Sequence, residues 1–194
     1  LREIESHSGR LQVGQHPSDG SVSVGVLRCG VGPKSAYART AEALALWTPD
    51  AVISMGTCGA LCDELHIGDV RTFEDSFVDT APAPALCPLP RHPVAAVTTV
   101  SRGCWTPERR RELRKTGADV VEMEASAVAQ ACRDFNPSLR VHAIKVVSDQ
   151  AGGSPDSVFG SSGIPTPLHA VRFKFRALKL CHQQLVPALL PVLA

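Results

Sequence analysis

The feature that most constrains this chain is the alternation of short, apolar, strand-like runs with segments of helical composition. Ser21 to Arg28 is β-rich and runs into Gly30-Val31-Gly32. Pro33 then stands where a helix starts, and Ala36 to Trp47 has helical composition until Pro49 ends it. Asp50 to Met55 is short and almost wholly apolar, the pattern of a strand buried on both faces of a sheet. It leads into a small-residue turn, Gly56-Thr57-Cys58-Gly59-Ala60. Further strands are expected over Asp69–Glu74, Val94–Val100 and Val141–Val147. Pro107 to Lys115 reads as a charged, solvent-facing helix. A helix running to about Phe135 places Met123, Ala127, Val128, Ala131, Cys132 and Phe135 on one face. A closing helix begins near Leu168. Residues 79–93 hold five prolines and read as a long loop, and residues 151–166 as a Gly/Ser/Pro-rich one. This alternation, without an internal repeat, predicts a single domain over residues 1–194 of class α/β. The layers are α/β/α around a mixed, largely parallel central sheet.

Composition excludes several classes of function. With 194 residues the chain is long enough to bury roughly two-thirds of its unfolded surface. Its 44% apolar and 20% charged residues are those of a globular protein. A net charge of +1 gives no electrostatic pull toward nucleic acid or an anionic membrane. No apolar run approaches the ~20 residues that span a bilayer, so no stable membrane insertion is expected. Leu1-Arg2-Glu3-Ile4-Glu5 is neither a signal nor a transit sequence. Seven cysteines, an odd number set mostly in apolar segments, read as reduced thiols of a cytoplasmic protein. Cys58, Cys62 and His66 are spaced four apart, but a structural zinc site needs four ligands, so no metal is expected.

In open α/β sheets ligands collect beyond the carboxyl ends of the strands. Four segments follow strands here: Gly30-Val31-Gly32, Gly56-Thr57-Cys58-Gly59, Glu122-Met123-Glu124 and Ser148-Asp149. Each glycine pair alone reads as a tight turn, and the first lacks the third glycine of a dinucleotide fingerprint. One glutamate at a helix start is a stability device worth about 0.3–1 kcal/mol, but two are more than that role needs. Asp149, ending the run Ala143 to Val147, reads either as a loop cap or as a functional acid.

Ile53 to Ala60, Val121-Glu122-Met123-Glu124-Ala125 and Val147-Ser148-Asp149-Gln150-Ala151, in this order and at these separations, resemble the signature segments of the nucleoside phosphorylase family. Within it the chain most resembles the methylthioadenosine/S-adenosylhomocysteine nucleosidases and the hopanoid-associated nucleosidase/phosphorylase branch. Thr116-Gly117-Ala118 favours the latter. The resemblance implies cleavage of a purine N-glycosidic bond through an oxocarbenium-like ribose. It makes Asp149, beside Ser148, the acid that protonates the purine at N7, with burial keeping its acid form available near neutral pH. It gives Glu124 the ribose hydroxyls and Met123 the sugar face, with Glu122 in the same segment. Thr57, Cys58 and Gly59 would line the base and ribose pocket, and Trp105 is the candidate aromatic over the base. No organic cofactor is implied.

Two departures qualify this. Family phosphorylases carry a phosphate-holding arginine just ahead of the glycine turn; Ser54 stands there, which favours water as acceptor. Arg28, Lys34 or Arg102 are the candidates to compensate. Nucleosidases of the family also have an N-terminal strand ending in a glutamate that serves as base. Leu1 to Ile4 reads as the tail of the helix after it, which places that strand outside the chain, and Glu3 and Glu5 do not match the base. Three readings follow: a purine nucleosidase first, a purine nucleoside phosphorylase second, and an inactive nucleoside-binding module third. The expected partners are a small nucleoside, water or phosphate, and a second copy of the chain as homodimer or higher homo-oligomer.

Overall fold

The computed structural model describes residues 2–5, 10–16, 20–79, 81–104, 106–150 and 177–193. The first three strands, β1 (Arg2–Glu5), β2 (Arg10–Gln15) and β3 (Ser23–Leu27), form an antiparallel sheet of their own. Arg2 pairs with Val13 and Glu5 with Arg10, and β2 continues onto β3 with Leu11 opposite Leu27. The expectation that Leu1 to Ile4 ends a helix is therefore corrected. The backbone groups of residues 2–5 are satisfied by a neighbouring strand and not within a helix.

The second sheet has six strands: β4 (Ala51–Ala60), β5 (Val70–Val78), β6 (Ala81–Pro82), β7 (Val94–Thr99), β8 (Val120–Glu122) and β9 (Arg140–Asp149). Their order is β6-β5-β7-β8-β4-β9, and β5 also pairs with β9, which curls the sheet into a closed barrel-like ring. The pairs β4–β9, β5–β7 and β7–β8 are parallel, while β4–β8, β5–β9 and β5–β6 are antiparallel. The mixed α/β class is thus the observed one, with barrel closure added.

The segment Gly56 to Ala60 is not a turn: β4 runs straight through it, paired with β9 on one side and with β8 at Gly59 and Ala60 on the other. Neither glycine reverses the chain, and close approach requires glycine only at Gly59. A Cβ on Gly56 would lie 3.5 Å from Lys145 Nζ, and one on Gly59 would lie 2.8 Å from an Asp149 carboxylate oxygen. Gly30 and Gly32 do turn the chain, at φ 80° and 90°.

Helix α1 (Pro33–Leu46) starts at Gly32 with proline in its first turn. Helix α2 (Pro107–Arg114) is capped by Thr106, whose hydroxyl accepts from Arg109 N at 3.2 Å. It carries Glu108 in its first turn and Arg111 and Arg114 in its last, as the helix dipole favours. Helix α3 (Ala125–Phe135) packs on α1 and buries Ala125, Val128, Ala129, Ala131 and Cys132. Phe135, expected on that face, is the last helical residue and is exposed instead. Residues 177–180, a π-helical turn Cys181–Leu185 and α4 (Val186–Leu193) close the described chain. The start of this segment, expected near Leu168, lies outside the described residues.

Strand β9 shows how the layers form. Ala143 and Val147 point into the cluster shared with α1 and α3, while Ile144 and Val146 point into the one made by Leu89, Leu185 and Leu189. Residues 81–93 are irregular beyond β6, but Leu86 and Leu89 are buried and the Leu89 amide donates to Thr72 Oγ1 at 2.9 Å. Phe73 on β5 is fully buried in the α1/α3 cluster. Replacing Phe73 by Ala is expected to cost about 3–5 kcal/mol, read as a lower urea midpoint at unchanged slope.

Candidate active site

Two centres lie along β4, one beside Gly56 and one beside Gly59. The first is built around a buried charge. Lys145, within the apolar run of β9, is 2% exposed, and its ammonium lies 3.0 Å from Glu122 Oε2. Glu122 ends β8 and is equally enclosed. Its Oε1 accepts from the Thr99 hydroxyl, and its Oε2 accepts from the amides of Glu124 (2.9 Å) and Ala125 (2.8 Å). Those are the amides where α3 begins, so Glu122 fixes the helix start from inside the protein. Glu122, expected to contact substrate, has its carboxylate fully occupied by protein groups.

Glu124 projects the other way. Its Oε1 accepts from Gly32 N at 2.8 Å, which sets the carboxylate on the N-terminal end of α1. Burial raises the Glu124 pKa, with Glu122 adding to the rise, while Lys145 and the Gly32 amide oppose it. Burial alone would lower the Lys145 pKa, but Glu122 and then Glu124 outweigh it, so the net shift is upward. Met123 is half-buried between these glutamates, with its methyl near Gly32. The loop Gly30-Val31-Gly32 and the Glu122-Met123-Glu124 segment therefore meet, as the order of strands suggested.

The second centre is at the end of β9. The register between β4 and β9 shifts between Cys58 and Gly59, so that Cys58 faces Val147 and Gly59 faces Asp149, with Ser148 the extra residue. Such a bulge re-aims the side chain beside it. Ser148 Oγ is 2.8 Å from Asp149 Oδ1 and 3.1 Å from the Cys58 carbonyl oxygen. Asp149 Oδ2 is ion-paired with Arg110 from α2, with side-chain exposures of only 12% and 11%. Asp149, expected to serve as the acid, is held by a guanidinium at the end of β9. The helix expected to face solvent thus turns Arg110, and also Leu113, inward.

Thr57 is half-buried between the centres, and Cys58 is buried, its thiol pKa pushed upward by desolvation. Trp105 lies outside the described residues. Ser54 is buried, and Arg28, Lys34 and Arg102 are exposed. Among the described residues no cluster of three or more His, Cys, Asp or Glu is placed to hold a metal ion. No helix among them is long and apolar enough to cross a membrane.

Sequence reasoning missed Lys145 and Arg110. For Lys145 a signal existed: a lone ammonium inside an apolar strand must find a buried counter-charge. For Arg110 there was none, since one arginine among several on a short polar helix reads as solvated.

Comparison with known proteins accords with this architecture. The chain matches the model of the phosphorylase superfamily over residues 2–101 and 88–162. It is 28% identical to the 5'-methylthioadenosine/S-adenosylhomocysteine nucleosidase of Staphylococcus aureus, across 69% of this chain and 72% of that one. Its fold is similar to that of the corresponding nucleosidase of Colwellia psychrerythraea 34H in complex with adenine. There the TM-score is 0.70 at 18% identity, covering 92% of this chain and 86% of the other. Futalosine hydrolase of Helicobacter pylori strain 26695 shares the fold at TM-score 0.68 and 15% identity, covering 92% and 87%. The chain belongs to the phosphorylase superfamily, and is an enzyme of that class.

Removing Lys145 alone, as Lys145→Met, leaves the Glu122 carboxylate buried and unpaired. The expected loss is about 3–5 kcal/mol in urea denaturation, much of it recovered in Lys145→Met/Glu122→Gln. Because the Lys145 pKa is raised on folding, the pair's stabilisation is complete below the ordinary lysine value. It is lost only as pH rises through the higher folded value. A stability profile that falls at neutral pH contradicts this.

Proposed function

We propose that this chain cleaves the N-glycosidic bond of an adenine-type purine nucleoside, with water as acceptor. The observation that carries the reading is the pair of carboxylate centres set along one strand. Glu124 lies at the Gly56–Lys145 end of β4 and Asp149 at Gly59. Three residues of extended chain separate Gly56 from Gly59, about 10 Å, which suits a nucleoside lying along β4 over Thr57 and Cys58. Glu124, a carboxylate with two acceptor oxygens, then takes the ribose hydroxyls, with Met123 against the sugar. Asp149, steadied by the Ser148 hydroxyl, gives its proton to N7 as the glycosidic bond breaks, and the proton lost by the attacking water restores the acid.

Hydrolysis is favoured over phosphorolysis because buried Ser54 stands where a phosphate-binding guanidinium is expected in family phosphorylases. The names of the Staphylococcus aureus and Colwellia relatives, both nucleosidases, support the same choice.

The test is base release from adenosine, methylthioadenosine and inosine, with and without phosphate. Adenine release independent of phosphate is expected, falling at least about 100-fold in Asp149→Asn. Strict phosphate dependence selects the phosphorylase. Ligand binding without release by the folded protein selects a binding module.

A homodimer is part of the proposal. Exposed Val31, Tyr37 and Val78 lie on the side of the molecule where Pro33, Tyr37, Val78 and Pro82 line a concavity of about 330 Å³. Sedimentation equilibrium at micromolar concentration is expected to give twice the chain mass, and Val78→Lys to give a folded monomer.

A further inference from the structure

Helix α3 starts without a cap of its own. The first amides of a helix have no partner inside it, and an oxygen on the N-cap side chain usually satisfies one of them. The N-cap here is Glu124, whose side chain makes no such bond. The amides are taken instead by residues of the sheet. Glu122 Oε2 accepts from Glu124 N and Ala125 N, and Thr99 Oγ1 accepts from Ser126 N at 3.0 Å. A cap divided between β7 and β8 leaves the Glu124 carboxylate free to meet Gly32 N.

Thr99, buried at the end of β7, is the joint of this arrangement. Its hydroxyl has one hydrogen and two oxygen neighbours, Glu122 Oε1 and Ser126 Oγ, the latter at 2.8 Å. The charged oxygen is the stronger acceptor, so the hydrogen goes to Glu122. The Ser126 hydroxyl donates to the Phe77 carbonyl at 3.0 Å, which ties the same helical turn to β5.

The two oxygens of Glu122 are unequally served. Lys145 and both amides lie on Oε2, while Thr99 is the donor to Oε1. The terminal torsion of a glutamate is broad, so contacts on one oxygen do not fix the plane of the carboxylate. Thr99 supplies the second fixed point. Without its hydroxyl, Oε1 is buried and unpaired, and turning it toward the ammonium takes Oε2 off the amides that set Glu124.

We propose that Thr99 is a positioning residue for the sugar: by fixing Glu122 and the Ser126 amide, it holds Glu124 in the orientation that accepts both ribose hydroxyls. It thereby sets a preference for ribose over deoxyribose. This rests on the proposed nucleoside site and deepens it. The Asp149 centre draws on Ser148 and α2 and not on this network, so loss of the Thr99 hydroxyl weakens the grip on the diol and spares the grip on the base.

The test reads binding by calorimetry with tubercidin and 2′-deoxytubercidin. Both have carbon in place of N7, cannot be protonated there and are not cleaved by the proposed route. The wild-type chain is expected to favour the ribo probe by roughly tenfold or more, the scale of one hydrogen bond to a charged acceptor. Glu124→Gln is expected to lose most of that preference. Thr99→Val keeps the shape without the hydroxyl and is expected to lower the preference at least about threefold, with affinity for the deoxy probe unchanged. Thr99→Ser, which restores the hydroxyl, is expected to recover it. Thr99→Cys, with only a weak donor, is measured alongside in case the valine chain does not fold, and is expected to shift the preference in the same direction.

A Thr99→Val or Thr99→Cys chain that is folded by circular dichroism and keeps the wild-type preference overturns the role of Thr99 and leaves the nucleoside site intact. Equal losses for both probes, or a loss that Thr99→Ser does not recover, overturn it in the same way. A wild-type chain that binds neither probe, or binds both alike, overturns the reading of Glu124 and the role of Thr99 with it.

Discussion

The buried ammonium of Lys145 is the constraint on which the first half of the site depends. A charge placed in a protein interior is tolerated only when paired and hydrogen-bonded. Glu122 is its counter-charge, and once Glu122 is committed there its remaining acceptor positions go to Thr99 and to the amides that open α3. The helix therefore cannot begin elsewhere without leaving a buried carboxylate short of donors. Its starting point in turn decides where Glu124 stands, against the Gly32 amide at the head of α1. A contact between two loops distant in sequence thus follows from one electrostatic requirement in the sheet.

This also explains where reading the sequence succeeded and where it failed. The alternation of apolar runs and helices located β4, β5, β7, α1, α2, α3 and β9 because each buries one face or two, and burial writes itself into residue order. The segment Gly56 to Ala60 was misread because small residues carry two physical meanings, and composition cannot separate them. A glycine permits either a positive φ or a close approach. Gly30 and Gly32 use the first, Gly59 the second. The barrel closure between β5 and β9, and the separate N-terminal sheet, depend on pairings between remote segments that leave no local trace.

Within the site, the Glu122-Met123-Glu124 and Ser148-Asp149 segments were legible as motifs, but the division of labour between the two glutamates was not. Both are acidic residues at a helix start; only the three-dimensional positions of Lys145 and Gly32 separate the enclosed one from the one that meets the head of α1. Arg110 was illegible for a complementary reason. On a helix as polar as α2, the sequence offers Arg109, Arg110 and Arg111 as equals. Arg109 pairs with Asp79 and Glu112, Arg111 with Glu108, and Arg110 alone of the three turns toward the ends of β4 and β9. That choice follows from Leu113: a helix that buries Leu113 carries the residue three positions earlier to the same side.

Glu124 and Asp149 are held in different electrostatic settings. Glu124 is half-buried, and burial pushes its pKa upward while the field of Lys145 and the Gly32 amide oppose the rise. A carboxylate in that state exchanges acceptor bonds readily with neutral hydroxyls, since its charge is only partly compensated. Asp149 is instead tied directly to the guanidinium of Arg110. Two acids of the same chemical type are thereby given different surroundings by their neighbours, and the neighbours are Lys145 and Arg110.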